Sequence, residues 1–391
     1  MRLGVIVSYR AARQPDGTVT ASDKFMAEMR AYADRWPGPV DVHLAVLDTN
    51  TEILGSSPVQ EVDENLTYHL VPDGRFGLGC IEQLPDVLLA AIDRPLHTIP
   101  KELAESPTKT VVAVEYTFKT RWQQNLAERA DMKGRLGGLK WNLGQEARII
   151  NAVRQADAFQ ANGYPAHDQY ARWNDNSLVY LDNRAYEAAM PSMADVAARV
   201  ESRGDGPIRI AFTGRLEARK GPLECVEVGK ALAQRGHPFS FFVAGDGPER
   251  EALVRAVEGA GLADRFDVPG VLDFDRELVP HMRSNVDVFF CPHPQGDPSC
   301  TYVETLAGGV PIVGYANEAV VALESHCSAV SSVAMGDAAT AADAIVELDT
   351  NRDRLAERSR AALQFAMGHS FEKEYDARVE HFLSLTPSSV R

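Results

Sequence analysis

Short apolar runs alternate with helical patterns along almost the whole chain, and their spacing predicts its secondary structure. Residues 3–8 form an apolar run that we expect to be a first buried strand. Residues 22–36 place apolar and aromatic side chains on one helical face and predict a helix. Residues 40–47 alternate between apolar and polar positions, as a half-buried strand does, and 111–114 predict another strand.

The alternation is most regular in the second half, after a cluster of Gly and Pro at residues 204–207. Strands alternating with helices of this length predict a parallel sheet covered on both faces. A last amphipathic helix is expected at about 371–385. The predicted strands are 208–212, 239–244, 286–291 and 310–314, and the predicted helices are 222–234, 248–260 and one from about 302.

The chain length and a weak stretch in this pattern predict two domains. The 391 residues exceed what one ordinary core holds, and the regular periodicity weakens between residues 180 and 207. We expect an N-terminal Rossmann-like domain at 1–190 and a second Rossmann-like domain at 205–369. The C-terminal helix, 370–391, is expected to pack back on the first domain.

Composition and charge narrow the class of protein. Hydrophobic residues make up 45% and charged residues 24% of the chain, a globular balance. The formal net charge of −15 argues against a nucleic-acid partner, which favours a basic face. We find no apolar run of about 18 residues and no signal-peptide pattern. The five scattered cysteines favour reduced thiols in a cytoplasmic protein and show no metal-type spacing.

Loops that follow parallel strands are where ligands bind in a doubly wound sheet. The loop after strand 208–212 begins at Gly214 and carries Arg215 and Lys220 before the next helix. Two cations near a helix N-terminus predict an anion site, most simply for a diphosphate. A solvated basic turn explains the same residues equally well.

The loop after strand 286–291 is rich in Gly, Pro and Ser, so its backbone can approach a ligand closely. Ser299, Cys300 and Thr301 stand where N–H groups at a helix start would face phosphate oxygens. Glu304 follows in the first turn; it either complements the helix dipole or accepts hydrogen bonds from ribose hydroxyls. The intervening segment 245–248, Gly-Asp-Gly-Pro, indicates a tight turn, because a lone G-x-G is a weak dinucleotide signal.

Three of these segments together resemble the C-terminal domain of the retaining family-4 (group 1) glycosyltransferases. They are 214–221 (G-R-L-E-A-R-K-G), 245–248 (G-D-G-P) and 304–313 (E-T-L-A-G-G-V-P-I-V), in the family's order and at its spacings. The resemblance extends from about 208 to 314 and is thin in the N-terminal half.

The resemblance implies a GT-B fold, two Rossmann-like doubly wound parallel-sheet domains with a cleft between them. It implies sugar transfer from a nucleoside-diphosphate sugar to a carbohydrate or lipid-linked acceptor, with retention and without a metal or other cofactor. Arg215 and Lys220 match the pair that binds the donor's diphosphate and steadies the leaving nucleotide. Glu304 matches the glutamate that holds the ribose, and 299–301 match the loop that touches the phosphates.

The sequence departs from the family at one motif position. The family's first motif glutamate should lie eight residues before Glu304, where this chain has Gly296. Asp297 is adjacent, and we expect it to take over the contact with the donor sugar and to be needed for catalysis. Otherwise the sugar is held differently or the activity is lost.

In the N-terminal half, an acceptor site would face the cleft. We expect a loop at 9–21 whose Asp16 and Gly17 approach the acceptor, although an ordinary surface turn fits as well. Glu115 and Arg121 follow the strand 111–114 and would bind acceptor hydroxyls or a phosphate, or else form a surface ion pair.

Residues 119–154 form a basic patch in an acidic protein. They contain eight Lys or Arg against three Asp or Glu, with two tryptophans, which suggests peripheral contact with a membrane carrying an anionic acceptor. Solvated helix faces explain the patch equally well.

Two other functions remain open at this stage. Gly296 is compatible with a catalytically weak protein that only binds nucleotide sugar or glycan. A GT-B nucleotide-sugar epimerase would share the fold and convert the donor without an acceptor.

Overall fold

The computed structural model describes residues 1–48, 55–93, 95–128 and 132–387. Within these residues the strands are β1 (Leu3–Arg13), β2 (Val19–Ser22), β3 (Val40–Asp48), β4 (Ser56–Pro58), β5 (Val62–Asp63), β6 (Leu66–Pro72), β7 (Val87–Ala91), β8 (Lys109–Val114), β9 (Ala158–Asn162), β10 (Ser177–Tyr180), β11 (Ile208–Thr213), β12 (Phe239–Ala244), β13 (Phe266–Gly270), β14 (Val288–Cys291), β15 (Ile312–Tyr315) and β16 (Val330–Val333).

The helices in the same residues are α1 (Asp23–Arg35), α2 (Ile99–Glu102), α3 (Phe118–Glu128), α4 (Met132–Gln155), α5 (Tyr164–Tyr170), α6 (Met193–Ser202), α7 (Glu224–Gln234), α8 (Arg250–Gly259), α9 (Val279–Asn285), α10 (Thr301–Ala307), α11 (Glu318–His326), α12 (Ala338–Thr350), α13 (Arg352–Gly368) and α14 (Phe371–Ser384). No helix in this part of the chain is long and apolar enough to span a bilayer.

The contacts divide the chain into two units. Unit 1 contains Met1–Phe118, Met132–Tyr180 and Glu372–Arg391, and unit 2 contains Lys119–Asp131 and Leu181–Phe371. Most of α3 and the segment after β10 therefore group with unit 2, whereas the predicted first domain included both. These segments belong to unit 2 because they make most of their contacts there, although they lie next to unit 1 in the sequence.

Unit 1 is built on a sheet in the order β10-β9-β8-β7-β1-β3-β6-β5, with β2 paired to β1 and β4 paired to β2. The strands from β10 to β6 in this order run parallel to their neighbours. The predicted helix at 22–36 is confirmed as α1, and its N-cap Ser22 accepts a hydrogen bond from the Phe25 N–H.

The predicted loop at 9–21 was wrong. β1 continues to Arg13 and turns back into β2, with Ala12 opposite Thr20 and Arg13 opposite Val19. The hydrophobic pattern did not indicate that β1 continues beyond residue 8, because the buried positions there are two small residues, Ala11 and Ala12, beside charged ones. The turn of this hairpin contains Asp16 and Gly17.

The last helix, α14, packs within unit 1. The rings of Tyr375 and Phe382 lie 5.0 and 5.7 Å from the ring of Tyr32 on α1. Arg378 of α14 is buried, with its guanidinium 3.8 Å above the Tyr180 ring, and its Nε donates to Gln160 Oε1 at 2.8 Å. This buried cation is thus held by aromatic faces and an amide oxygen.

His43 makes the stability of unit 1 sensitive to acid. Its ring is buried on β3 and stacks on His69, with centroids 4.6 Å apart. Burial, and then the charge of His69, lower the pKa of His43 to about 4, despite Asp41 nearby. Between about pH 6.5 and 4 the His43 side chain is protonated in the unfolded chain but not in the folded one. The free energy of unfolding is therefore highest above pH 6.5 as far as His43 is concerned, and it decreases as the pH falls.

We expect the titration of His43 to lower the free energy of unfolding of unit 1 by about 2 kcal/mol between pH 7.5 and pH 5. His43→Gln removes the titration and should flatten the pH dependence of the unfolding free energy by that amount. Denaturant unfolding of both proteins across this range checks it. Equal slopes in the two proteins would contradict the assignment.

Unit 2 contains the parallel sheet predicted from the second half of the chain. Its strand order is β13-β12-β11-β14-β15-β16, and every pairing is parallel. The predicted strands and helices of this half are confirmed to within two residues at each end. The order reverses between β11 and β14, which makes that point the switch point of a doubly wound sheet.

Candidate functional site

Two loops of unit 2 meet at the switch point, where the chain leaves β11 and β14. The loop 214–221 follows Thr213 at the end of β11, and the loop 292–300 follows Cys291 at the end of β14. These are two of the loops in which the sequence predicted ligand contacts. Neighbouring parallel strands bring their carboxyl ends to the same edge of the sheet, so both loops border one site.

Glycines allow the loop after β12 to lie directly against the loop after β11. Gly214 and Gly245 both have positive φ, and a Cβ on Gly245 would lie 1.9 Å from the Gly214 carbonyl oxygen. Backbone hydrogen bonds join the two loops, from Gly214 N to Ala244 O at 3.0 Å and from Leu216 N to Asp246 O at 2.9 Å. The segment 245–247, Gly-Asp-Gly, thus packs against the loop 214–221 and helps to hold its backbone in place.

The first loop carries three cations in different surroundings. The Arg215 side chain is 74% exposed and its Nε lies 3.6 Å from Glu217. Arg219 donates to Glu217 at 2.7 Å and lies 3.5 Å from Asp297. The Lys220 side chain is only 10% exposed, and its Nζ contacts Asp297 Oδ2 at 2.7 Å. Arg215 is therefore the cation most open to an incoming anion.

The predicted catalytic residues Lys220 and Asp297 are partners of each other. The Lys220 Nζ also lies 3.4 Å from Ser299 Oγ, so one ammonium group ties the two loops together. The Ser299 N–H donates to Asp297 O at 2.8 Å, so in this structure it is used within the loop and does not point to a ligand. The phosphate-contacting backbone predicted at 299–301 is thus partly satisfied internally.

A buried histidine, His293, lies beneath these cations. Its burial, followed by the charges of Lys220 and Arg219, holds its pKa well below the ordinary value, so the ring is neutral. The ring meets the Phe212 ring edge-on at 6.3 Å, and its Nδ1 lies 3.4 Å from the Tyr302 hydroxyl. The uncharged ring adds no further positive charge behind Lys220.

Glu304 lies at the edge of a largely apolar pocket. Arg184 Nε contacts Glu304 Oε1 at 3.1 Å, and the Arg184 guanidinium lies 3.5 Å from the centre of the Phe274 ring. Cys300 Sγ lies 3.4 Å from Asp182 Oδ2, beside this pair. Side chains lining the pocket include Arg184, Phe274, Leu278, Met282, Thr301 and Glu304.

Gly296 leaves no room for the glutamate that the resemblance implies at its position. A Cβ there would lie 2.8 Å from Glu318 Cβ and 3.2 Å from Thr120 Oγ1. The absence of a side chain at 296 is therefore coupled to the presence of Glu318, a residue outside the predicted site.

Three of the four residues predicted on the acceptor side belong to unit 1. In unit 1, Asp16 accepts a hydrogen bond from the Thr18 N–H at 2.9 Å in the turn between β1 and β2, and Gly17 has a positive φ. Glu115 is exposed just after β8. Arg121 belongs to unit 2 and is buried in α3, so it is not on the surface as the ion-pair alternative assumed. An acceptor role for these residues stays a prediction.

Several residues of the site were not among those predicted. Arg219 and Glu217 lie in the cationic loop itself, and their charges were visible there. Arg184 and Phe274 precede or lie far from the motifs, and only the fold brings them to Glu304. Glu318 follows β15, and the rule that ligands bind beyond strand ends would have included it. Within the described residues, no group of three or more His, Cys, Asp or Glu side chains is arranged to hold a metal ion.

The second half of the chain is similar to known glycosyl transferases. Residues 195–364 match the model "Glycosyl transferases group 1". A 2-deoxystreptamine glucosyltransferase of Streptomyces kanamyceticus is 36% identical over 110 residues, 28% of each chain. A 2-deoxystreptamine N-acetyl-D-glucosaminyltransferase of Streptomyces fradiae is 30% identical over 224 residues, 52% of this chain and 51% of that one. These matches span about half or less of each relative's length.

Solved structures resemble the chain over nearly its full length. Sucrose-phosphate synthase from Thermosynechococcus elongatus has a TM-score of 0.67 at 15% identity, covering 98% of this chain and 99% of that one. Anabaena HepE in complex with UDP has a TM-score of 0.64 at 13% identity, covering 99% and 100%. At this identity the likeness shows the fold alone, which is GT-B. The chain thus has the GT-B fold, and its residues 195–364 are similar to the group 1 glycosyl transferases.

Proposed function

We propose that the protein transfers a sugar from a nucleoside-diphosphate sugar to a hydroxyl of a carbohydrate acceptor, and that unit 2 holds the donor. The observation that carries the proposal is the group of three cations at the switch point, beside a pocket that ends in Glu304. A diphosphate needs clustered cations, and a nucleoside needs a mostly apolar pocket with a few polar groups.

The diphosphate would bind to the loop 214–221. Arg215 is open and presents a planar fork that suits phosphate oxygens. Lys220 is already positioned by Asp297 and would meet the anion without losing much side-chain freedom. Positive charge held where the leaving diphosphate gains negative charge stabilises the transition state. This is the basis for proposing transfer without a metal.

The nucleoside would occupy the pocket beside Glu304. Phe274 and Leu278 form an apolar side of the pocket against which a base can pack, and Thr301 and Glu304 supply polar atoms. A carboxylate has two oxygens and accepts several hydrogen bonds, so Glu304 can hold ribose hydroxyls and Arg184 together. Glu304→Gln keeps the shape and weakens these bonds, and we expect the Kd for UDP to rise about tenfold. Calorimetric titration against wild type checks this value.

The donor is identified by titrating the protein with UDP, GDP and ADP and their common sugar conjugates, with and without EDTA. Binding to the native state raises its melting temperature by mass action, so a single nucleotide should stand out. Equal binding with EDTA would support the metal-free site. If no nucleotide shifts melting or releases heat, the proposed donor site is wrong.

The relatives' names suggest which acceptors to test first. Curated relatives are named for transfer to 2-deoxystreptamine, an amine-bearing cyclitol. A protein with a formal net charge of −15 would attract such a cation. We propose a carbohydrate or aminocyclitol acceptor and retention at the anomeric carbon. Mass spectrometry of reactions with 2-deoxystreptamine and neutral sugars tests the first, and the anomeric coupling constant of the product tests the second.

A lipid-linked acceptor at a membrane surface is the second candidate. On α4, Leu136, Trp141 and Leu143 are exposed, with Lys133 and Lys140 exposed on the same helix. Apolar and basic side chains together suit an anionic interface. Residues 129–131 of the predicted basic patch lie outside the described residues. Co-sedimentation with anionic but not neutral vesicles would support this candidate, and absence of binding to either would remove it.

The two other functions are separated by the same assays. A protein that only binds nucleotide sugar would bind UDP yet give neither transfer nor hydrolysis. An epimerase would convert the sugar without an acceptor.

No disulfide joins the five cysteines, all of which lie in described residues, and this supports our proposal of a cytoplasmic location.

A further inference from the structure

Glu318 begins α11 at the same sheet edge as the cationic loop. β15 lies next to β14 in the sheet, and the chain leaves it at Tyr315, just before Glu318. Asn317 fixes this start from both sides. Its Oδ1 accepts from the Val320 N–H at 2.9 Å, and its Nδ2 donates to His293 O at 2.9 Å. The helix start is therefore anchored to the loop 292–300.

The Glu318 side chain occupies the space in which a side chain at 296 would begin. The Cβ that Gly296 lacks would lie only 2.8 Å from Glu318 Cβ and 3.3 Å from Glu318 N. Glu318 Cβ is the first atom of the side chain and Glu318 N belongs to the backbone, so neither can move away without shifting α11. Any side chain at 296 would press on residue 318, and in this chain the carboxylate beside that point belongs to Glu318.

The Glu318 carboxylate is held near the loop yet remains accessible. Thr120 Oγ1 lies 3.1 Å from Gly296 O and 3.4 Å from Glu318 Oε2, so this hydroxyl links the two residues. Lys119 Nζ lies 3.7 Å from Glu318 Oε1. The Glu318 side chain is 26% exposed, against 11% for Asp297.

Asp297, by contrast, is engaged. Its Oδ2 contacts Lys220 at 2.7 Å and lies 3.5 Å from Arg219, and its side chain is nearly buried. A sugar hydroxyl would have to compete with two cations for this carboxylate. A more exposed carboxylate with a weaker cation contact, as Glu318 has, accepts hydrogen bonds from sugar hydroxyls with less competition.

We infer that Glu318 binds hydroxyls of the donor sugar, supplying from α11 the carboxylate that the family resemblance places at 296. The inference rests on the proposed function, because it needs a nucleoside-diphosphate sugar in this site. In this arrangement Asp297 orients Lys220 for the diphosphate, while Glu318 positions the sugar ring. Glu318 is thus a specificity-determining residue for the sugar, and the base and diphosphate are bound without it.

Glu318→Gln tests the inference, with UDP and the nucleotide sugar that wild type turns over fastest as the two probes. We expect the Kd for UDP to stay within about twofold, while kcat/KM for the nucleotide sugar falls at least about tenfold through loss of a charge-assisted hydrogen bond. Glu324→Gln on the same helix, where Glu324 bonds Ser332, is the matched control and should leave both values unchanged.

The outcomes separate the two proposals. If wild type binds no nucleotide, the proposed function fails. If wild type transfers sugar and Glu318→Gln does so equally well, the function stands and the inference is overturned. If Glu318→Gln weakens UDP binding as much as it lowers turnover, Glu318 is structural and the inference is again overturned.

A swap variant tests the shared position directly. Gly296→Glu/Glu318→Gly removes the closest contact, the one with Glu318 Cβ, and places the carboxylate at position 296, while the 3.2 Å contact with Thr120 Oγ1 stays. We expect it to recover at least about tenfold in kcat/KM over Gly296→Glu alone, in which the two side chains collide. A folded swap variant that binds UDP but turns over no faster than Gly296→Glu would overturn the idea that the two positions serve one role.

Discussion

Lys220→Ala is expected to weaken the binding of UDP by about 10- to 150-fold, equivalent to about 1.5–3 kcal/mol for a charge-assisted hydrogen bond. The same change should lower the stability of unit 2, because it leaves the nearly buried carboxylate of Asp297 with only Arg219, 3.5 Å away. Loss of one partner from a buried ion pair is costly, since the remaining charge stays out of water.

The two consequences can be separated with the double variant Lys220→Ala/Asp297→Ala. It removes both charges, so the melting temperature should recover most of what Lys220→Ala loses. The UDP affinity should not recover, because the cation that meets the diphosphate is still missing. Calorimetric titration and thermal unfolding of the same preparations give both quantities. Recovery of the affinity together with the stability would mean that Lys220 acts only by holding the fold.

Two further variants complete this test. Lys230→Ala on α7 removes an exposed lysine paired with Glu227 and should change neither quantity. Asp297→Asn removes the negative charge that competes with the diphosphate for Lys220 but keeps an oxygen that can accept from Lys220 Nζ and orient it, so UDP binding should be unchanged or tighter. A fall in UDP affinity like that of Lys220→Ala would contradict the roles given to this pair.

Four of the six strands in the sheet of unit 2 were predictable because each is a short, mostly apolar run between loops, whereas β13 (F-D-V-P-G) and β16 (V-S-S-V) have fewer apolar residues and were not predicted. Phe239–Ala244, for example, is bounded on both sides by Gly or Pro and was assigned to the residue. The hairpin of β1 and β2 was missed because its buried residues are alanines between arginines. Its strands are specified by pairing with each other, and a one-dimensional pattern does not record that pairing.

The candidate site was predictable in its loops but not in its contacts. The cations of 214–221 and the glutamate at 304 could be found from the position of loops after strands. The pairing of Lys220 with Asp297 joins residues 77 apart in sequence, and the pairing of Arg184 with Glu304 joins residues 120 apart. Glu318 follows a predicted strand and could have been included by the same rule, but its contact with position 296 is visible only in the folded chain.

Asp287→Ala should be the most destabilising change in unit 2 while leaving the donor site intact. Asp287 is fully buried just before β14 and accepts hydrogen bonds from Arg209 N at 2.9 Å, Nε at 3.0 Å and a terminal nitrogen at 2.8 Å. Arg203 Nε lies 3.2 Å from the same carboxylate, and its other end pairs with Asp349.

Removal of this carboxylate takes away the anion that Arg203 and Arg209 share, and of the two Arg203 keeps its contact with Asp349. The loss of a buried partner predicts about 3–5 kcal/mol of lost stability. Asp343→Ala is the matched control, because it removes an exposed carboxylate at 2.8 Å from Arg235 and should cost less than about 1 kcal/mol. Calorimetric unfolding with and without UDP identifies the transition of unit 2 as the one that the ligand shifts.

The position of Asp287 makes this prediction a test of how unit 2 is organised. Asp287 lies at the amino end of β14 and the cationic loops lie beyond its carboxyl end, about 13 Å away along the strand. Sites that share no partner at such a distance contribute independently. The folded Asp287→Ala variant should therefore bind UDP as wild type does. A weakened UDP affinity in the folded variant would mean that the buried ion network also sets the geometry of the loops, and that stability and donor binding in this unit cannot be changed separately.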